Sequence, residues 1–378
     1  MGEQSDKLAS TRGRNMINKE FLESLSPVEL EYIHSIIYTL YRDNVTEETT
    51  NYDNLAAHVD HCPHCHSKNI VRNGFNPKHR QKYLCKNCHR VILPTTGTMF
   101  SHSKVKYNEW VAFIGCELQG LSLEAESVIV GLHKTTCFCM RHRLYSAISS
   151  LQKDTVLSGN IEFDPTYTKI NLKGTRPKNM PRISKPRGKH KTSVIGKNLT
   201  GTSHHKICIV SAIDENDNIL LKIAGLGPES EEMLNRYSRH FKRNSLVISD
   251  DKSSIINFAS RNKLNSDVIP SIGGQVRYTT PSGNSLSSIN ELHSEIKDMI
   301  RRKHGVSIRH LQGYLDFLIF HKRLRYTARM KDWRDLAYMD IMFEKHGFRY
   351  CDTCKIPLPI SLYEAYHEYN YGIFNLIN

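Results

Sequence analysis

The chain has 378 residues, of which 39% are apolar and 24% charged, enough for one sizeable core and one or two small modules. No apolar run approaches the roughly 20 residues that a membrane helix needs, so we expect no membrane partner. The polar N-terminus lacks the apolar segment of a secretory signal. Ten cysteines, several of them in CxxC pairs, indicate metal binding in a reducing compartment rather than a disulfide scaffold.

The formal net charge of +14 is concentrated in two windows. Residues 61–108 contain nine Lys or Arg and residues 165–213 contain eleven, and neither window contains Asp or Glu. Solvated loops would explain such windows, but runs of this length without a carboxylate favour a surface that binds phosphates. The charge therefore predicts a polyanionic partner.

The first predicted helix covers residues 27–42, where apolar residues recur at helical spacing after Ser26 as a possible N-cap.

A predicted zinc module follows this helix in the chain. Two CxxC pairs are separated by a spacer that resembles a short hairpin, and four thiolates at this spacing close a tetrahedron around one structural Zn²⁺. The predicted ligands are Cys62, Cys65, Cys85 and Cys88. The histidines next to them are interpreted as bystanders, because four cysteines already satisfy the ion.

Two further helices are predicted between Leu121 and Ser149, with Gly131 ending the first and Thr135 or Thr136 capping the second. This pattern fits a helix-turn-helix, with Lys134 and Arg141 among the cations that would contact DNA. A plain helical hairpin packed on the core fits the same pattern. The preceding zinc module and the basic charge favour DNA binding.

From residue 160 the sequence predicts three strands, then alternating helix and strand, which is the order of a ribonuclease-H-like α/β domain with a mixed sheet flanked by helices. Asp164 lies on the first strand and Asp250 ends the fourth. These strands are neighbours in that topology, so both carboxylates can reach one Mg²⁺ pair. Alternatively, Asp164 terminates a strand before Pro165, and Asp250 or Asp251 caps the next helix.

A long helix from about Ser287 supplies a third element, with Asn290, His293 and Lys297 on one polar face. Asn290 is the predicted third magnesium ligand, and its amide oxygen adds no charge. The fallback carboxylates Glu291 and Glu295 lie about 100° and 140° around the helix from it.

These motifs resemble DDE-type bacterial insertion-sequence transposases of the zinc-ribbon group related to the eukaryotic Merlin elements. The resemblance runs from Cys62 to about Thr327 through TTGTMFSHSKVKYNEW, FDPTYTKINLKGTRPKNMPR, LVISDDKSS and INELHSEIKDMIRRKHGVS. It implies catalytic roles for Asp164, Asp250, Asn290 and, as a basic residue seven positions later, Lys297. The chain departs from the family at Pro165, where Glu is usual, and at Asp251, where a small residue is common.

The resemblance further implies two-metal cleavage and strand transfer with Mg²⁺ or Mn²⁺. The expected partners are the terminal inverted repeats of the element and target DNA, bound by a homo-oligomer in a prokaryotic, nucleoid-associated setting. The basic loop beside the site would clamp the DNA backbone through Lys173, Arg176, Lys185, Arg187 and Lys189. Rival interpretations are a non-catalytic DNA-binding regulator and a nuclease of the same fold.

The predicted segments are therefore an N-terminal helical or flexible part at 1–58, a zinc ribbon at 59–100, a helix-turn-helix-like part at 101–150, the catalytic domain at 158–327 and a tail at 328–378. Within the tail, Cys351 and Cys354 form half a zinc site without a visible partner. We interpret them as ordinary thiols.

Overall fold

The computed structural model describes residues 59–77, 80–152, 154–174, 206–270, 279–327, 350–358, 360–361 and 363. The predicted helix at 27–42 and the predicted DNA contacts Arg176, Lys185, Arg187 and Lys189 lie outside these residues. The described residues fall into two compact units: residues 103–138 form one, and the ribbon with the residues from 139 onward forms the other. No described helix has the length and apolarity needed to cross a membrane.

The ribbon is a three-stranded antiparallel sheet in the order β1-β2-β3. Its strands are β1 (Ile70–Phe75), β2 (Gln81–Cys85) and β3 (Val91–Ile92). Its small core consists of Cys62, Cys85 and Ile92, all almost fully buried. A core of this size cannot stabilise a fold on its own, so the segment needs another source of folding free energy.

Three helices follow the ribbon: α1 (Tyr107–Leu118), α2 (Leu123–Val130) and α3 (Lys134–Leu151). Ser122 caps α2 by accepting from the Ala125 N–H at 3.2 Å, and Gly131 ends it in the left-handed region at φ 73°, as the sequence predicts. The predicted threonine cap of α3 is wrong. The helix begins at Lys134, one residue before Thr135. The Nδ1 atom of His133 accepts a hydrogen bond from the Thr135 N–H at 3.2 Å.

The second unit is built on a six-stranded mixed sheet. Its strands are β4 (Asn160–Phe163), β5 (Thr166–Lys169), β6 (Lys206–Asp214), β7 (Ile219–Leu226), β8 (Leu246–Asp250) and β9 (Asn265–Ile269). β6 pairs antiparallel with β4, β5 and β7, whereas β8 pairs parallel with β4 and with β9. The helices that follow the strands are α4 (Glu231–Asn235), α5 (Ser253–Arg261), α6 (Ser287–Arg302), α7 (Ile308–Thr327) and, near the C-terminus, α8 (Tyr350–Thr353).

The first predicted strand is divided into β4 and β5, and Asp164 lies in the break rather than within a strand. Both halves pair with β6 in one continuous register, from Ile161 opposite Asp214 to Lys169 opposite Lys206. In the break, the Asp164 N–H still donates to the Ser211 carbonyl at 3.2 Å. Pro165 has no N–H to continue the ladder, so the strand is interrupted directly after Asp164.

The two faces of the sheet carry different side chains, because neighbouring residues on a strand point to opposite faces. Ile161 and Phe163 pack into a buried cluster with Phe241 and Phe258, whose rings lie 5.1 to 5.6 Å from one another and from Phe163. The residues that alternate with them on β4 therefore belong to the opposite face. α7 contacts the sheet through Gln312, whose side chain accepts from the Ile223 N–H at 3.1 Å and donates to the Leu221 carbonyl at 2.9 Å.

Glu162 joins β4 to the start of α6. Its Oε2 accepts a hydrogen bond from the Ile289 N–H at 2.8 Å, one of the N–H groups in the first turn that have no partner inside the helix. A carboxylate at this position is also stabilised by the helix dipole. The contact fixes the beginning of α6 next to the strand that leads to Asp164.

We expect Glu162→Ala to lower the free energy of opening of α6 by about 1–2 kcal/mol, because the cap and its charge are both lost. Hydrogen exchange of the peptide that covers α6 measures this quantity. Glu162→Gln keeps an acceptor oxygen and should lose less, and the exposed Glu232→Gln is the control. Unchanged exchange in Glu162→Ala would contradict the capping role.

Candidate active site and zinc centre

The four ribbon cysteines form a compact cluster. Their Sγ atoms all lie within 4.8 Å of one another, with Cys62 and Cys88 3.6 Å apart and Cys65 and Cys85 3.5 Å apart. Four thiolates at these distances surround a position for one tetrahedral Zn²⁺. The cluster is a structural zinc site, and the ion supplies the stability that the small core lacks.

The two CxxC turns have the same local geometry, which explains the neighbouring histidines. His66 and His89 each follow the second cysteine of a pair with positive φ, 59° and 55°. Each donates its N–H to the carbonyl of the first cysteine, at 2.8 Å and 2.9 Å. These histidines therefore occupy the left-handed position of a turn, which His adopts more readily than most residues.

Electrostatics in the cluster also favour a cation. Backbone N–H groups, above all that of Cys88, lower the pKa of the Cys85 thiol to about 7 despite burial. The Arg90 N–H acts in the same direction on Cys88, but burial and the other three thiols raise its pKa to about 12. Since thiolates this close repel one another, all four ionise together only with a positive charge between them.

In the second unit, the structure places Asp164 and Asp250 at the ends of neighbouring parallel strands. β4 pairs with β8 so that Glu162 lies opposite Ile248, and both aspartates follow two residues later along their strands. Burial raises the pKa of Asp250, and the charge of Asp164 raises it further. Asp251, by contrast, is exposed, so Asp250 is the member of the pair that faces Asp164.

Lys252 lies between the carboxylates of Asp164 and Glu229, and the sequence did not single it out. Its Nζ donates to Asp164 Oδ1 at 2.8 Å and lies 3.5 Å from Glu229 Oε1. Burial alone would lower the pKa of Lys252, but the charges of Asp164, Glu229 and Asp250 outweigh it and raise this pKa. The ammonium group is therefore a fixed positive charge within an acidic cluster.

Glu229 is a second residue that sequence analysis missed. Only 5% of its side chain is exposed, and it also accepts a hydrogen bond from the Tyr167 hydroxyl. It follows β7 and precedes α4 in the segment GPESEE, where nothing in the spacing separates it from the other two glutamates. Only the packing of this segment beside Lys252 distinguishes Glu229.

On α6, His293 faces Asp164. Its Nδ1 lies 3.8 Å from Asp164 Oδ2, and only 7% of its side chain is exposed. Burial lowers the pKa of His293 despite the opposing charge of Asp164, with Lys297 and Lys252 adding to the decrease. Asn290 and Lys297 flank it on the same polar face and are exposed. The predicted face of α6 thus borders Asp164 through His293, its buried member.

The fallback carboxylates on α6, Glu291 and Glu295, point towards α7 and not towards Asp164. Glu295 and Glu291 lie 3.2 Å and 3.8 Å from the Nζ of Lys322 on α7. The Lys322 side chain is 7% exposed, so these glutamates compensate a buried cation on the neighbouring helix. This pairing separates both glutamates from the Asp164 side of α6.

The predicted DNA contacts on α3 need correction. Arg141 is 1% exposed and donates to the Tyr314 hydroxyl at 3.4 Å, so it faces α7 and cannot reach a phosphate. Arg143 is 8% exposed and donates to the Ser101 carbonyl. The helical spacing is as predicted, but this part of α3 is a core helix. The exposed Lys134 pairs with Glu124.

Lys173 is the described member of the predicted basic loop. It is exposed, and its Nζ donates to the His304 carbonyl at 2.6 Å. Its position between the end of β5 and the loop after α6 keeps it on the surface of the second unit. An exposed lysine there is compatible with a contact to the DNA backbone.

Comparisons with known proteins support the assignment of the zinc ribbon. Residues 56–89 match the family described as the InsA N-terminal domain, a zinc ribbon. The chain is 48% identical over 32 residues to the insertion element iso-IS1N protein InsA of Shigella dysenteriae, covering 8% of this chain and 36% of that protein. Both matches point to a protein of an insertion element.

A longer match is to an uncharacterized protein in transposable element ISH50 of Halobacterium salinarum, 30% identical over 129 residues, covering 33% of this chain and 42% of that protein. The chain thus spans less than half the length of either relative. A pre-cleavage Mos1 transpososome aligns over 61% of this chain and 78% of that chain, with 10% identity and a TM-score of 0.17, too low to show a common fold. The ribbon family and both relatives confirm the resemblance to insertion-sequence transposases.

We expect Cys85→Ser to lose the ribbon zinc and the order of the ribbon together, since the metal supplies most of the folding free energy of this segment. Metal analysis of the full chain and hydrogen exchange of residues 59–100 measure the two effects. Cys116→Ala, a buried cysteine outside the cluster, is the control. Full retention of zinc in a variant with all four ribbon cysteines changed to serine would exclude the assignment.

Proposed function

We propose that the chain is a DNA transposase that binds the ends of an insertion sequence and catalyses metal-dependent strand cleavage and strand transfer. The observation that carries this proposal is the juxtaposition of Asp164 and Asp250 at the ends of parallel strands, beside the polar face of α6. The insertion-element relatives supply the DNA context.

The sheet supports a ribonuclease-H-like catalytic domain. The broken strand β4–β5 is central. On one side, β6 pairs antiparallel with it, and β7 pairs antiparallel with β6. On the other side, β8 pairs parallel with β4, and β9 pairs parallel with β8. Helices follow β7, β8 and β9 in the chain. This is the order of strands that such a domain requires, and it brings the ends of the first and fourth strands together.

The donor set fits a hard divalent cation. Burial and, after it, the charge of Asp164 raise the pKa of Asp250, and Mg²⁺ and Mn²⁺ prefer carboxylate oxygens such as these two as ligands. Among the described residues, only the ribbon cysteines form a closed cluster of three or more metal ligands. The proposed catalytic site is therefore an open pair that Asn290 completes with an amide oxygen.

In this proposal, Asp164 and Asp250 hold the cation, and Asn290 adds a neutral ligand from α6. A bound cation there would activate water or a DNA 3′-hydroxyl and stabilise the departing 3′-oxygen in an in-line displacement. Lys252 keeps Asp164 and Glu229 together by neutralising part of their charge. Lys297, exposed one turn beyond His293, would contact a phosphate near the scissile bond.

DNA binding is assigned to cations outside the acidic cluster. Lys134 and Lys173 are exposed, and the window at residues 165–213 carries eleven Lys or Arg without a carboxylate. Phosphate contacts by such residues position DNA without reading its sequence. We assign the binding of the terminal inverted repeats and of the target DNA to these cations, with a homo-oligomer assembling on the DNA.

We expect Asp164→Ala and Asp250→Ala each to reduce Mg²⁺- or Mn²⁺-dependent cleavage of element-end DNA by about a thousandfold, with DNA binding nearly unchanged because affinity comes mainly from phosphate contacts. Asn290→Ala should be severe but less complete, since it removes an oxygen without charge. Asp251→Ala is the matched control and should stay active, because Asp251 is exposed.

The wild-type products separate the candidate functions. Strand-transfer products support a transposase, cleavage without transfer indicates a nuclease of this fold, and binding without cleavage indicates a regulator. Full activity in both Asp164→Ala and Asp250→Ala would refute the proposed site. Activity in Asp250→Ala together with inactivity in Asp251→Ala would move the ligand by one residue along β8.

We expect Lys252→Met to strengthen Mn²⁺ binding about tenfold, which corresponds to about 1.4 kcal/mol, because Asp164 and Glu229 lose their compensating charge. The metal-free variant should also melt at a lower temperature than the wild type, since removing one partner of a buried pair leaves an unpaired charge. Mn²⁺ should restore much of this loss. Calorimetric titration and thermal unfolding measure both effects, with the exposed Lys297→Met as control. An unchanged Mn²⁺ affinity would show that the ammonium group does not compete with the metal.

A further inference from the structure

The cysteines of the tail are not used by the proposed reaction. Cys351 and Cys354 lie in and directly after the short helix α8, with the CxxC spacing of a zinc half-site. The sequence offers no second half next to them. Their interpretation as ordinary thiols therefore depends on what α8 packs against.

α8 packs against two histidines from distant parts of the second unit. His142 on α3 and His310 on α7 stack with ring centroids 3.9 Å apart. The Tyr350 ring at the start of α8 lies 5.5 Å from His142 and 5.8 Å from His310. Arg309 also donates to the Cys354 carbonyl, so the CxxC turn is held directly beside this histidine pair.

Cys139 brings a third sulfur to the same place. It lies one turn before His142, so the two share a face of α3. Burial raises the pKa of the Cys139 thiol, and the nearby Cys354 and Cys351 raise it further. Burial, the hydrogen bond to the Cys354 thiol and the charge of Cys139 likewise raise the pKa of Tyr350 to about 12. Cys139, His142 and Cys354 thus lie near Tyr350, and Cys351 directly follows it in the chain.

We propose that Cys139, His142, Cys351 and Cys354 form a second structural zinc site, which ties the C-terminal segment to α3. The set consists of a CxxH pair on a helix and a CxxC pair on another, and three thiolates with one imidazole are an established ligand combination for structural zinc. Neither half is complete alone, because each pair supplies only two of four ligands.

This second set is more open than the ribbon. Among the described residues, only the ribbon sulfurs lie within 4.8 Å of one another, so metal binding must draw the second set together. Cys351 is exposed, and its Sγ lies 3.8 Å from Asp352 Oδ1. In the proposed site, its side chain would have to turn towards the other three ligands.

The experiment counts zinc per chain in the purified full-length protein. Wild type should contain two, and Cys354→Ser and Cys139→Ser should each contain one. Cys85→Ser should also contain one, held by the second site, and Cys85→Ser combined with Cys354→Ser should contain none. Cys116→Ala should keep both ions. Cobalt substitution of Cys85→Ser should give the charge-transfer absorption of thiolate ligands, and adding His142→Gln should alter it.

A single zinc in the wild type would overturn the proposal, and so would two ions in Cys354→Ser. Loss of free thiols at Cys139 and Cys354 without a second zinc would overturn it in favour of a disulfide. Because zinc content is measured without DNA, these outcomes are independent of the transposase proposal.

Discussion

The negative charges of Asp164 and Asp250, held at one end of the sheet, are the constraint on which the acidic cluster depends. Parallel pairing of β4 with β8 forces both groups to the same end of the sheet, and burial there weakens their hydration. Lys252 offsets part of this cost by neutralising some of the negative charge. Its own pKa is raised, despite burial, by the charges of Asp164, Glu229 and Asp250.

The surroundings of the aspartates are arranged around this charge. Pro165 interrupts the strand directly after Asp164, while the Asp164 N–H remains bonded to Ser211, so the carboxylate lies at a break in an otherwise continuous ladder. Glu162, two residues earlier, fixes the start of α6. The same strand thus supplies the acidic group and positions the helix that borders it.

The cysteine pairs of this chain stabilise segments that have little apolar core. The ribbon has almost no apolar core, so metal ligation replaces hydrophobic burial as its source of stability. The proposed second site would act on α8, a helix of four residues that is too short to be stable by itself. In both places a metal would hold short segments that cannot bury enough surface.

Much of this architecture follows from sequence patterns that act over a short range. The two CxxC pairs, the glycine that ends α2 and the alternation of strands and helices after residue 160 are local signals, and the structure contains each of them. The assignment of catalytic roles to Asp164, Asp250, Asn290 and Lys297 stays a prediction, although the geometry places the two aspartates side by side.

Local patterns determined the ribbon, the two helices that follow Leu121 and most strands of the sheet, and which cysteines share the ribbon zinc, because spacing along the chain sets these features. Burial of a cation was decided only by tertiary packing. Arg141 has the helical position of a DNA contact, yet it faces Tyr314 in the core, while Lys252 and Glu229 carry no local signal and meet Asp164 across three elements. The physical reason is that the energy of a charge depends on the groups that surround it in space, and these come from parts of the chain that no local pattern connects.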